Sequence, residues 1–193
     1  MIHEILPVGP LQCNCSVIGD ETSREAMVID PGDDIQDVLA LIRKHNLRVQ
    51  QIVITHAHID HVGGAMKLRA ATGAPILLNQ NDYALLKMLD AQAVWVGMPS
   101  PGKVEIDRSV TGGETVTAGS LSASILHTPG HTEGSICLYF LPTIRSSPAI
   151  PCSPVPSVAP TCRAVQCKRF CAPCTIPSWR CPMERWWSPA TVR

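Results

Sequence analysis

Three imidazoles and a carboxylate fall within seven residues in Thr55-His56-Ala57-His58-Ile59-Asp60-His61, and zinc takes nitrogen and carboxylate oxygen donors of these kinds. His56 and His58 are two positions apart, so an extended backbone turns both rings to one side, where they can share an ion. Asp60 and His61 lie beyond them, free to serve a second. Two cations held close together can place an attacking hydroxide and stabilise a developing oxyanion. These residues therefore point to metal-assisted hydrolysis. A run of solvated or core histidines is the alternative, and it leaves the crowding of donors without a purpose.

A second signal comes later, in Leu126-His127-Thr128-Pro129-Gly130-His131-Thr132-Glu133-Gly134-Ser135. His131 is the expected further ligand. Gly130 permits a sharp turn and Pro129 stiffens the approach, so backbone geometry can hold the ring. His127, at a strand end, is expected instead to be hydrogen-bonded or part of the core.

Together these motifs make the chain resemble the metallo-β-lactamase superfamily, and within it the small hydroxyacylglutathione hydrolase (glyoxalase II)-like proteins. The resemblance covers residues 1–141: an opening strand pair, Val28-Ile29-Asp30-Pro31-Gly32, a helix, the Thr55 to His61 motif followed by Val62-Gly63-Gly64, and the His131 turn. It implies an α+β fold, the αββα sandwich, with metals at one edge of the sheets. It also implies hydrolysis of a small-molecule thioester, such as an acyl-glutathione, by a metal-bound hydroxide, with two zinc ions in intact members. His56, His58, Asp60, His61 and His131 then match the family's metal ligands. Asp30 matches a position that supports the metal loop through hydrogen bonds, although a simple turn carboxylate is its other reading.

The elements that must position these side chains are legible in the pattern. Residues 2–8, 12–18 and 25–30 read as short strands rich in Ile and Val between turn residues. Residues 33–45 read as a helix, capped by Asp33 with Gln36 and carrying Ile35, Val38, Leu39, Leu41 and Ile42 on its apolar face. A buried strand at 51–55 delivers the metal motif. Helices are expected at 64–72 and 82–89 around a strand at 75–78, and strands at 121–126 and 135–141 complete the readable part.

With 193 residues and 45% apolar content, the chain has the length for one domain or one and a half and the material for a core. Met1 to Val8 lacks the basic start and continuous apolar run of a signal peptide, and no stretch reaches transmembrane length. A cytoplasmic location without membrane contact is expected. Thiols stay reduced there, so Cys13, Cys15 and Cys137 are expected as small buried residues on strands. A metal pair at Cys13 and Cys15 is disfavoured, because a strand interior offers few companion ligands.

The net charge of zero conceals a break. Through Pro142 the chain has nine Lys and Arg against fifteen Asp and Glu, whereas the remainder has seven basic residues and one acid, Glu184. Glycine stops at Gly134, no histidine follows His131, and ten of the 17 prolines and six of the 9 cysteines lie after residue 141. Residues 142–193 are expected to form a tail with little regular structure, because proline removes donors from helices and sheets.

Three readings compete for this tail. Cys167, Cys171, Cys174 and Cys181 could form a zinc or disulfide module. The basic residues could contact nucleic acid, but only Lys168-Arg169 cluster, a weak electrostatic footprint, so no nucleic-acid partner is expected. The third reading is a shifted frame. Back-translated and read one base earlier, Ser147 to Val165 can encode Leu-Ala-Gly-Asp-Thr-Leu-Phe-Ala-Gly-Ser-Val-Gly-Arg-Thr-Asp-Leu-Pro-Gly-Gly, which is similar to what the family carries after its strand. Trp186 to Arg193 can likewise encode Val-Val-Val-Pro-Gly-His-Gly-Pro, the family's final ligand motif. The degenerate code permits each residue without forcing it, but two motifs in order explain the break at once, as a one-base loss near the codons for residues 142–146.

On that reading the family's bridging aspartate lies in the bases now read as Ala149-Ile150, and its last histidine in those of Ala190-Thr191. The printed chain keeps a three-histidine site for one zinc at His56, His58 and His131. A second ion keeps only Asp60 and His61, so hydrolysis is expected to be impaired. Two other classes stay open: a mononuclear iron persulfide dioxygenase, which uses a similar histidine-rich motif, and a non-catalytic zinc-binding protein with a real Cys-rich module.

Overall fold

Apolar runs without a polar face dominate the middle of the chain, and they belong to a sheet covered on both sides. The structure is a computed structural model that describes residues 1–140; the readings made for residues 142–193 lie outside the described residues. Strands β1 (Ile2–Val8), β2 (Cys13–Gly19), β3 (Glu25–Ile29), β4 (Arg48–Val53), β5 (Ile76–Leu78) and β6 (Arg108–Ser109) form one sheet in that order. The first three are antiparallel neighbours, and β3 to β6 run parallel. Parallel neighbours need crossovers, and helices supply them. Helix α1 (Ile35–Lys44) joins β3 to β4, α2 (Ile59–Val62) and α3 (Ala65–Thr72) join β4 to β5, and α4 (Tyr83–Leu86) and α5 (Leu89–Val96) precede β6. Strands β7 (Thr115–Ala118), β8 (Leu121–His127) and β9 (Ile136–Phe140) form a second, antiparallel sheet.

Adjacent residues of the first sheet face opposite layers. Val17, Val28, Ile52 and Ile76 pack toward the helices, while Ile18, Met27, Val53 and Leu77 pack toward the second sheet. The second sheet answers with Leu121, Ala123 and Ile125, turning Ser122 and Ser124 outward. Each fully buried Ile or Leu contributes roughly 1.5–3 kcal/mol of transfer free energy, so both interfaces hold the frame on which the loops hang. Helices, sheet and sheet give the α+β sandwich that the resemblance implied. The helical layer that the αββα pattern places over the second sheet is not among the described residues.

The boundaries carry some corrections. Asp33 does not cap α1. The helix begins at Ile35 after Asp34, which is left-handed (φ 50°) and makes no cap bond, because its carboxylate accepts from Gly9 N at 2.8 Å instead. β4 starts at Arg48 and ends at Val53, drawn earlier by the pairing of Arg48 with Glu25. The single helix expected at 82–89 is two, α4 and α5, reaching Val96. Between them the Leu85 carbonyl accepts from Met88 N at 3.0 Å and from Gln92 Nε2 at 3.1 Å, which interrupts the helical ladder. β6 and β7 were not expected; one has two residues and the other is the polar-apolar run Thr115–Ala118.

Candidate metal centre

The metal motif occupies the loop that leaves β4 and enters α2. Gly32 explains how that loop sits so close to the turn after β3, since a Cβ there would lie 1.6 Å from the Asp60 carbonyl oxygen. Gly64 N also donates to Pro31 O at 2.9 Å. Asp30 opens this turn with φ 53°, a backbone region that Asp tolerates better than most residues.

Asp30 is fully buried, and its two oxygens arrange the site. Thr55 N donates to Oδ1 at 2.7 Å, and the Thr55 hydroxyl donates to Oδ2 at 2.7 Å. A hydroxyl has one proton, so Thr55 Oγ1 must accept from His56 Nδ1, 3.0 Å away. That puts the His56 proton on Nδ1 and leaves Nε2 bare. Nε2 is buried and has no hydrogen-bond partner among the described residues. Burial first, then the neighbouring His61, His58 and His131, push the His56 pKa down to about 3, so the ring stays neutral with its lone pair facing the cluster.

His58 and His131 close the group. His131 Nε2 lies 3.1 Å from His58 Nδ1, near the separation of about 3.3 Å that two nitrogens show on a tetrahedral zinc with bonds of about 2.0–2.1 Å. The His56, His58 and His131 ring centroids are 4.7–4.8 Å apart pairwise. Burial, then His131, lowers the His58 pKa as well. His58 is half-buried and His131 exposed, so the group opens to solvent on that side.

Asp60 and His61 stand at the start of α2, and the structure adds Cys13 to them. One donor atom from each of Cys13, Asp60 and His61 lies within 4.8 Å of the other two, as holds for His56, His58 and His131. His61 Nδ1 is 2.9 Å from Asp30 Oδ2, and Nε2 is 3.5 Å from Asp60 Oδ2. Burial pulls the His61 pKa down, but the Asp30 charge and hydrogen bond, with Asp60, outweigh it and raise the value. With Nδ1–H held by Asp30, Nε2 is the nitrogen free for a cation. His127 joins neither group; its Nε2 bonds to Glu133 O at 2.8 Å at the surface, so it is hydrogen-bonded but not core.

Two further residues hold the loops. Asp82 is 1% exposed and accepts from Ala57 N at 2.9 Å, Thr132 Oγ1 at 2.8 Å and Gly134 N at 2.7 Å. It thereby ties the His56–His58 segment to the His131 turn. Gly134 is required there, since a Cβ would lie 2.7 Å from the Asp82 backbone nitrogen. Gln92, also buried, accepts from Ile59 N at 2.9 Å and donates to Ala57 O at 3.2 Å. Neither was picked out in the sequence. Asp82 looks like one more polar residue after a strand, whereas Gln92, a lone amide inside the apolar Leu89–Val96 run, was a readable signal.

The donor set fits a divalent cation: neutral imidazoles with one bare buried nitrogen, a carboxylate, a thiol, and a carboxylate behind the rings that fixes their tautomers. Known proteins agree with this. The family model described as the metallo-beta-lactamase superfamily matches residues 8–142. The hydroxyacylglutathione hydrolase GloC of Haemophilus influenzae is 37% identical over 135 residues, 69% of this chain and 63% of that protein. The BLEG-1 B3 metallo-beta-lactamase crystal structure superposes with a TM-score of 0.65 at 29% identity, covering 72% of this chain and 67% of that one. A crystal structure of TTHA1623 in a di-iron-bound form gives 0.61 at 33% identity, covering 70% and 66%. The chain spans less than two thirds of the length of the curated relatives it matches.

Proposed function

The chain belongs to the metallo-beta-lactamase superfamily, and from that premise we propose a metal-dependent hydrolase built for a small-molecule thioester such as an acyl-glutathione. The observation that carries this is the bare, buried Nε2 of His56 beside His58 and His131. A divalent cation bound there supplies Lewis acidity and a water deprotonated near neutral pH. The chain's own residues do the rest. Asp30, through Thr55, keeps the His56 lone pair facing inward, and Asp82 keeps His131 against His58. The open side at His58 and His131 admits a carbonyl from solvent. The relative named hydroxyacylglutathione hydrolase supports the substrate class.

The tail bears on how well this chain performs. The family match ends at residue 142, where glycine and histidine have stopped and proline and cysteine take over. We read residues 142–193 as the product of a shifted frame that removed a bridging aspartate and a last histidine, so the printed chain is an impaired hydrolase. Zinc is the proposed ion. Imidazole and carboxylate donors also suit iron, and the di-iron relative makes metal analysis part of the test.

The experiment expresses the printed chain and one with a base restored near the codon for Thr143, then measures metal content and acyl-glutathione hydrolysis. The restored chain is expected to hydrolyse the thioester at least about a hundredfold faster, since a misplaced nucleophile alone costs that much. Equal rates would overturn the reading of the tail. Iron with oxygen consumption, and no hydrolysis by either chain, would move the function to a persulfide dioxygenase.

A further inference from the structure

We propose that Cys13 is the third donor for a second cation, held with Asp60 and His61 by a thiolate, a carboxylate and an imidazole. The inference rests on the metal-binding reading above but not on its substrate.

Period-two alternation turns Cys13 and Cys15 to the helical side of β2. Both are buried in the core, but Cys13 is the strand's first residue, next to His61 of the metal loop. Its Sγ lies 3.6 Å from His61 Nδ1, and all three donor atoms lie within 4.8 Å of one another. Asp30 keeps Nδ1–H, so the cation takes Nε2, and the donors must draw in to close on it. The place adjoins the first group, since the ring centroids of His56 and His61 are 3.9 Å apart.

Charge favours the arrangement. Asp60 and the Cys13 thiolate together neutralise a divalent ion, and a thiolate selects zinc, cobalt or cadmium over magnesium or calcium. As the sulfur–metal bond forms, the thiol proton leaves to solvent. Sulfur held by a cation is shielded from an alkylating agent, so the reactivity of Cys13 reports on the ion.

Cobalt(II) titration of the full-length chain, with the six cysteines after residue 141 changed to serine, tests this directly. Two equivalents are expected, the second bringing thiolate-to-cobalt absorption in the near ultraviolet. Cys13→Ser should lose that absorption and the second equivalent, and Cys137→Ser should keep both. In the unsubstituted chain, cobalt should slow alkylation of Cys13 at least about tenfold, read by peptide mass, with Cys137 unchanged. A second equivalent that survives Cys13→Ser, or Cys13 alkylation indifferent to cobalt, overturns the proposal. Failure to bind any cobalt overturns the metal-binding reading itself.

Discussion

The two donor groups have the same number of ligands and differ in how those ligands are held. His56, His58 and His131 come from two loops that Asp82 locks together through Ala57 N, Thr132 Oγ1 and Gly134 N. Cys13, Asp60 and His61 come from a strand start and a four-residue helix, and Asp30 orients His61 among them. Asp30 serves both groups, since it also sets the His56 tautomer through Thr55. We expect the bracing behind the donors to set their affinity. The first group should bind tightly and the second weakly.

The largest effect is expected from Asp30→Asn. An amide has one oxygen where the carboxylate accepts on two, from Thr55 N at Oδ1 and from Thr55 Oγ1 and His61 Nδ1 at Oδ2. One side of this network therefore loses its acceptor, and the charge behind both rings is lost. Zinc affinity should fall about 10–100-fold at both groups, measured by calorimetric titration. A loss confined to one would mean that Asp30 does not join them.

Asp82→Ala separates the groups. It leaves two backbone N–H groups buried without their acceptor, at about 1–3 kcal/mol each, while the Thr132 hydroxyl can turn to Ser135 Oγ, so chemical denaturation should show at least about 2 kcal/mol lost. Zinc affinity should drop about tenfold at the histidine group and change little at the other. Equal weakening of both would reduce Asp82 to general support.

Asp20 tests the frame apart from either group. Its carboxylate accepts from Ser120 N at 2.6 Å and Thr22 N at 2.8 Å, pinning the β7–β8 turn to the end of β2. These bonds hold its pKa well below the usual carboxylate range. A depressed folded pKa contributes stability that is complete above the unfolded value of about 4 and is lost as pH falls below it. Asp20→Asn should therefore cost about 1–2 kcal/mol at neutral pH, and the gap to the parent should narrow below about pH 4. Bound zinc at neutral pH should not change.

Much of this molecule was legible before its structure. Ile and Val runs between turn residues placed β1, β2 and β3 within a residue or two, because strand burial is written in side-chain type. The apolar face of α1 was legible for the same reason, and Ile35, Val38 and Ile42 are buried. Of the histidines that the structure gathers, His56 and His58 were named from their spacing and His131 from its Pro-Gly turn. What was hidden depends on tertiary partners. Asp34 faces Gly9, far off in sequence, so local capping rules misread the start of α1. Asp82 has a short polar side chain like its neighbours, and its importance comes from the loops it meets. Cys13 is buried on its strand as the pattern indicated, but the donors beside it come from a loop that strand periodicity does not describe.

The central claim is that His56, His58 and His131 hold one ion tightly. Its most direct test is the zinc retained after exhaustive dialysis by the full-length chain, with the six cysteines after residue 141 changed to serine, beside the same chain carrying His56→Ala or His131→Ala. The first should keep about one equivalent, and either alanine should release it. Equal retention by all three proteins would contradict the account.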